Sequence, residues 1–140
     1  MSGKRVLVVD DDQDIRELLV SVLEDDGYQA ESARNGREAL DVLERWKADV
    51  VVLDLMMPVL DGFGVLATMR VDPVLSSVPV VVLTAKSLSE AERQFLSRSA
   101  VRVLQKGEYR LADVAALVLR AASGARVASR TPEYIPFEPA

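Results

Sequence analysis

Four short apolar runs divide the chain: RVLVV from Arg5, VVVLDL from Val50 to Leu55, VVVL from Val80 and VRVL from Val101. They are rich in β-branched residues and mostly do not alternate, as expected of strands buried on both faces of a parallel sheet. A fifth segment, YQAESA from Tyr28 to Ala33, alternates and is more polar, which suits an edge strand.

Between these runs the period becomes helical. Ile15, Leu18, Leu19, Val22 and Leu23 recur at helical spacing and predict one packing face, with Gly27 closing the helix at C′. Asn35-Gly36-Arg37-Glu38 reads as a capping box opening a second helix through Leu40, Leu43 and Trp46. Phe63, Leu66 and Met69 predict a short third helix ended by Asp72-Pro73. Ser89-Glu90-Ala91-Glu92 is a further capping box, ahead of Phe95 and Leu96, and the stretch from Leu111 to Ala122 is a fifth helix. Five β–α alternations imply an α/β fold, a doubly wound five-stranded parallel sheet with helices on both faces. The helical and strand periods stop after Gly124, so residues 1–122 are expected to form the domain and 123–140 a proline-containing tail without a second domain.

Composition narrows the chemistry. At 140 residues the chain has the size of one domain. Its net charge of −5 offers no electrostatic footprint for direct nucleic-acid binding and favours a protein partner or a cation. It contains neither cysteine nor histidine, which excludes thiol and imidazole nucleophiles, His-based triads and the usual zinc ligands. The apolar run after Lys4-Arg5 is too short for a signal-peptide core or a membrane span, so a cytoplasmic location without membrane contact is expected.

The ends of the apolar runs carry the informative polar residues. The first runs into Asp10-Asp11-Asp12, the third strand ends at Asp54, the fourth at Thr84, and Lys106 follows the fifth. In an open parallel sheet these ends converge on the edge where ligands gather. Three carboxylates in the first loop would repel a phosphate unless a cation intervened, and ligands of oxygen alone select a hard cation, with Mg²⁺ the best match beside phosphate. A solvated capping turn is the alternative for the acidic run, and Asp12 and Asp14 fit that role. Asp54 is different, because a carboxylate closing a run of aliphatics would be costly to bury without a cation. Thr84 and Lys106 add a hydroxyl and a fixed positive charge, both suited to a phosphoryl group.

The segments VLVVDDDQDIRELL, VVVLDLMMPVLDGF, VPVVVLTAKS and VLQKG together resemble the receiver domain of two-component response regulators, in order and spacing, over Lys4 to Ala122. The resemblance implies flavodoxin-like strand order 2-1-3-4-5 and a phosphoacceptor at Asp54. It also implies Mg²⁺ on Asp10, Asp11, Asp54 and the backbone carbonyl of Met56, with Thr84 and Lys106 on the phosphoryl group and Ala85 leaving room for it. The implied protein is a single-domain phosphorelay component, not a turnover enzyme. Its implied donor is a histidine kinase or phosphotransfer protein, and its output a downstream protein target.

This chain departs from the family pattern at Gly107, where proline usually follows the lysine, at Val103, where an aromatic is common, and at Ser97-Arg98-Ser99-Ala100. The VLQKG ending is similar to receivers attached to hybrid sensor kinases. Without proline, the Lys106–Gly107 bond is expected to be trans, since cis would cost about 2.5–4 kcal/mol. Val103 keeps open a pseudoreceiver whose output ignores phosphate. An aspartate-nucleophile phosphatase fits less well, because Met56 stands where that chemistry wants a second acid. On the fifth helix Leu111, Val114, Leu117 and Val118 are expected to pack inward, leaving Ala115, Leu119 and Ala122 for a homodimer or for the tail residues Tyr134, Ile135 and Phe137.

Overall fold

The computed structural model describes residues 4–84, 87–99, 101–105 and 110–122. Five strands alternate with five helices: β1 (Arg5–Val9), α1 (Gln13–Asp25), β2 (Gln29–Ala33), α2 (Gly36–Arg45), β3 (Val50–Asp54), α3 (Gly62–Val71), β4 (Val80–Thr84), α4 (Glu90–Arg98), β5 (Val101–Gln105) and α5 (Leu111–Ala122). A 3₁₀ turn, Leu75–Ser77, leads into β4. All strand pairs are parallel and the order is β2-β1-β3-β4-β5, so the more polar β2 stands at an edge as its alternation predicts.

Within the unbroken apolar runs, successive side chains serve opposite faces. Leu7, Val9, Val51, Leu53, Val80, Val82 and Val103 pack with Ala39, Val42 and Leu43 of α2, Val65, Leu66 and Met69 of α3 and Leu96 of α4. Val6, Val8, Val50, Val52, Val81, Leu83 and Leu104 pack with Leu19 and Leu23 of α1 and with Val114, Leu117, Val118 and Ala122 of α5. Both faces of the sheet are therefore covered, as a parallel sheet requires.

The helix ends follow local chemistry. Asp12 caps α1, its carboxylate accepting from the N–H groups of Asp14 and Ile15. Gly27, at φ 97°, lets the Gly27 and Tyr28 N–H groups reach the carbonyls of Glu24 and Leu23, a Schellman ending. The Ser89–Glu92 box is complete. The one expected at Asn35 is only half formed: Asn35 accepts from the Glu38 N–H, but the Glu38 carboxylate returns to the N–H and guanidinium of Arg34 instead of the N-cap N–H.

Two packing expectations are corrected. Leu18 is 51% exposed, because the sheet-facing line of α1 runs through Leu19 and Leu23 and leaves Leu18 on its flank. Ala122 is buried against the α1–α5 face, so the apolar surface left on α5 centres on Leu119, which is 61% exposed, beside a half-buried Ala115. Val114, Leu117 and Val118 pack as expected, whereas the Leu111 side chain and the tail 123–140 lie outside the described set.

Candidate phosphoryl and metal site

β1 and β3 are neighbours, and the chain leaves their carboxyl ends toward opposite faces of the sheet. That reversal opens a crevice in doubly wound folds. Asp10 follows β1 directly and Asp54 is the last residue of β3. The two carboxylates and that of Asp11 bring ligand oxygens within 4.8 Å of one another. Asp10 and Asp54 are each 1% exposed, while Asp11 opens to solvent. Thr84, 2% exposed, ends β4 on the strand adjacent to β3, where Asp54 pairs with Leu83.

Backbone groups fix these acids. Asp10 donates its N–H to the Ala33 carbonyl at 3.1 Å and accepts the Asp12 N–H on Oδ1 at 2.9 Å. Asp54 Oδ1 accepts the Met56 N–H at 3.2 Å. The loop after β3 is tied at its end, where the Gly62 N–H reaches the Leu55 carbonyl at 3.1 Å and the Gly36 N–H reaches the Leu60 carbonyl at 3.0 Å. Gly36 is needed for that approach, because a Cβ there would run into the Leu60 carbonyl oxygen. At the loop's apex Leu60 N–H closes on Pro58 C=O at 2.8 Å, a γ-turn that holds Val59 at φ 71°.

The donor set suits a hard divalent cation: carboxylate oxygens only, convergent, two of them buried and one open to solvent. Asp12, expected to belong to the helix start, is outside this set and does cap α1. Among the other expected site residues, Lys106, Gly107 and Ala85 lie outside the described residues. Val103 is described and is packed in the core against the α2–α4 face.

A model of the response regulator receiver domain matches residues 6–117, well over half the chain. The chain belongs to the response-regulator receiver family. Among its relatives, the response regulator MprA of Mycolicibacterium vanbaalenii is 48% identical over 87 residues, which is 61% of this chain and 37% of the relative. This receiver spans about a third of the length of the curated relatives it matches. Among solved structures, the Francisella response regulator 1452 receiver domain is 29% identical with a TM-score of 0.78, over 89% of this chain and 100% of that one. TrrA of Thermotoga maritima, in complex with Mg²⁺-BeF, is 32% identical with a TM-score of 0.73, over 84% and 98%. Among the described residues no helix is long and apolar enough to cross a membrane.

Two features of the candidate site were not anticipated from the sequence. Arg16, on α1, donates Nη1 to the Asp10 carbonyl at 2.9 Å. Its signal was its place one turn beyond the cap of a helix that starts at the acidic loop. Val59 is the second, and a valine gives no hint of positive φ.

Proposed function

We propose that this receiver takes a phosphoryl group on Asp54 from a phosphohistidine of a histidine kinase or phosphotransfer protein and signals through protein contacts. The observation that carries the reading is the convergence of Asp10, Asp11 and Asp54, two of them buried, at the β1–β3 crevice. Mg²⁺ fits that set, with the Met56 carbonyl as a further ligand, and when bound it supplies neutralisation of charge on the phosphoryl oxygens. TrrA, which shares the fold, holds Mg²⁺-BeF.

In the transfer an Asp54 carboxylate oxygen forms the new O–P bond as the P–N bond to the donor imidazole breaks, and the imidazole leaves as the neutral base after taking up a proton. These 140 residues contain no histidine, so the donor imidazole lies outside them. Thr84 offers a hydroxyl to the new group from the next strand, and Lys106 is proposed to pair with it. The product is an acyl phosphate on the protein itself, so the step is a transfer and not turnover. Incubation with Mg²⁺ and acetyl phosphate should add one phosphoryl mass, read by intact mass spectrometry, and Asp54→Asn should remove it. An Asp54→Asn protein modified at the wild-type rate would overturn the acceptor assignment.

A second reading has one observation in its favour. Val103, packed in the core where many receivers carry a mobile aromatic, gives Thr84 no ring to couple to. A pseudoreceiver of this kind would bind its target equally before and after phosphorylation, whereas the favoured reading requires differential binding.

A further inference from the structure

We propose that Arg16 is a positioning residue for the acidic cluster, holding Asp10 in the orientation that Mg²⁺ binding requires; this rests on the metal reading of Asp10, Asp11 and Asp54. Arg16 sits in the first turns of α1, its N–H bonded to the Asp12 carbonyl at 3.0 Å. Its side chain turns back toward the sheet and donates Nη1 to the Asp10 carbonyl at 2.9 Å. The groups that hold Asp10 therefore include the Ala33 carbonyl, the Asp12 N–H and this guanidinium. The first two are main-chain groups that any sequence would supply. The third is a charged donor specific to arginine or lysine.

The charge of the guanidinium is also felt at the opening of α2. Glu38 there is held below the usual glutamate range first by Arg34 and, to a smaller degree, by the charge of Arg16. The hydrogen bond of Arg16 is thus to the turn after β1, while only its charge is felt at the start of α2. An arginine that merely solvated α1 would not reach the Asp10 carbonyl.

Removing it sets two effects against each other. Freeing the Asp10 main chain loosens a buried ligand, and hydrogen bonds behind metal ligands are typically worth ten- to a hundredfold in affinity. Removing a positive charge beside three carboxylates would instead strengthen cation attraction. Arg16 is only half-buried, so that opposing effect is screened and smaller. Positioning should win.

The test is calorimetric titration of the full chain with Mg²⁺ for wild type, R16Q and R16K, followed by acetyl phosphate labelling across Mg²⁺ concentrations. R16Q should need about tenfold more Mg²⁺ for half-saturation, with its labelling rate at saturating Mg²⁺ close to wild type. R16K keeps a charged donor and should recover most of the affinity. Melting of the Mg²⁺-free proteins separates the alternatives: a lower melting temperature for R16Q with unchanged Mg²⁺ half-saturation overturns the assignment, because that is a purely structural role. Tighter Mg²⁺ binding by R16Q also overturns it. A wild-type protein that binds no Mg²⁺ removes the metal reading and this inference together, an outcome distinct from equal affinities in wild type and R16Q, which removes the inference alone.

Discussion

Val59 offers a quantitative test of the loop that carries the site. It is a β-branched residue at φ 71°, and its side chain is 79% exposed. A non-glycine residue held in the left-handed region costs about 1–3 kcal/mol, and β-branching places Val59 among the genuine outliers. Replacing it by glycine relieves that strain but enlarges the freedom of the unfolded chain, at about 0.4–1 kcal/mol. Some burial is also lost. Full burial of a valine contributes roughly 1.5–3 kcal/mol and about a fifth of this one is covered, so roughly 0.3–0.6 kcal/mol goes. Taking midpoints, Val59→Gly should stabilise the domain by about 1 kcal/mol. Val59→Ala keeps the Cβ and most of the strain, so it should stay within about 0.5 kcal/mol of wild type. Urea denaturation followed by far-ultraviolet circular dichroism measures both, with equal m-values showing that the unfolded states are comparable. If Val59→Ala proves as stable as Val59→Gly, the side chain is not the source of strain and the reasoning fails.

Two further outcomes follow from the site and its surroundings. Asp11→Ala should abolish most Mg²⁺ binding while barely affecting stability, whereas Asp12→Ala should cost about 1 kcal/mol as a lost helix cap and leave Mg²⁺ binding largely intact; calorimetry and denaturation on both variants check the division, and equal losses of Mg²⁺ affinity would refute it. Glu38, whose carboxylate is held low by its bonds to the Arg34 side chain and N–H, contributes stability that is complete above the ordinary glutamate pKa and fades as pH falls through its lowered folded value; carboxyl-carbon NMR titration should show that value rising in Arg34→Ala, and an unchanged titration would deny the pair its role.

The fold was legible because buried strands and amphipathic helices leave different periods. What the apolar runs could not disclose is which residue faces which layer. In VVVL every position is apolar, so the alternation that sends Val80 and Val82 to one face and Val81 and Leu83 to the other has no trace in residue type. The same limit explains Leu18, which satisfies the helical period yet misses the sheet because its neighbour Leu19 defines the contact line. Glu38 shows a subtler case. Its spacing from Asn35 fits a capping box, but Arg34 offers the carboxylate a guanidinium, and an ion pair with two N–H donors outcompetes a single bond to an uncharged N–H.

The acids of the candidate site drew notice for the opposite reason, that they break a pattern. A carboxylate ending an aliphatic strand contradicts burial unless chemistry compensates for it, so Asp54 stands out without any structure, and the acidic run from Asp10 gains weight beside it. Arg16 and Val59 contradict nothing in the sequence, since arginine on a helix and valine before a turn are ordinary. Only tertiary placement makes them exceptional, one by turning inward to a buried carbonyl and the other by its positive φ. Gly36 belongs with them, tolerating a contact that a Cβ would forbid. These departures gather at the carboxyl edge of the sheet around Asp54, while the packing of the two helical layers, Leu18 apart, follows local preference. Local rules fail where function over-determines the chain. The failures of Val59, Gly36 and Arg16 therefore point to the crevice that the acids mark, by a route that uses no motif.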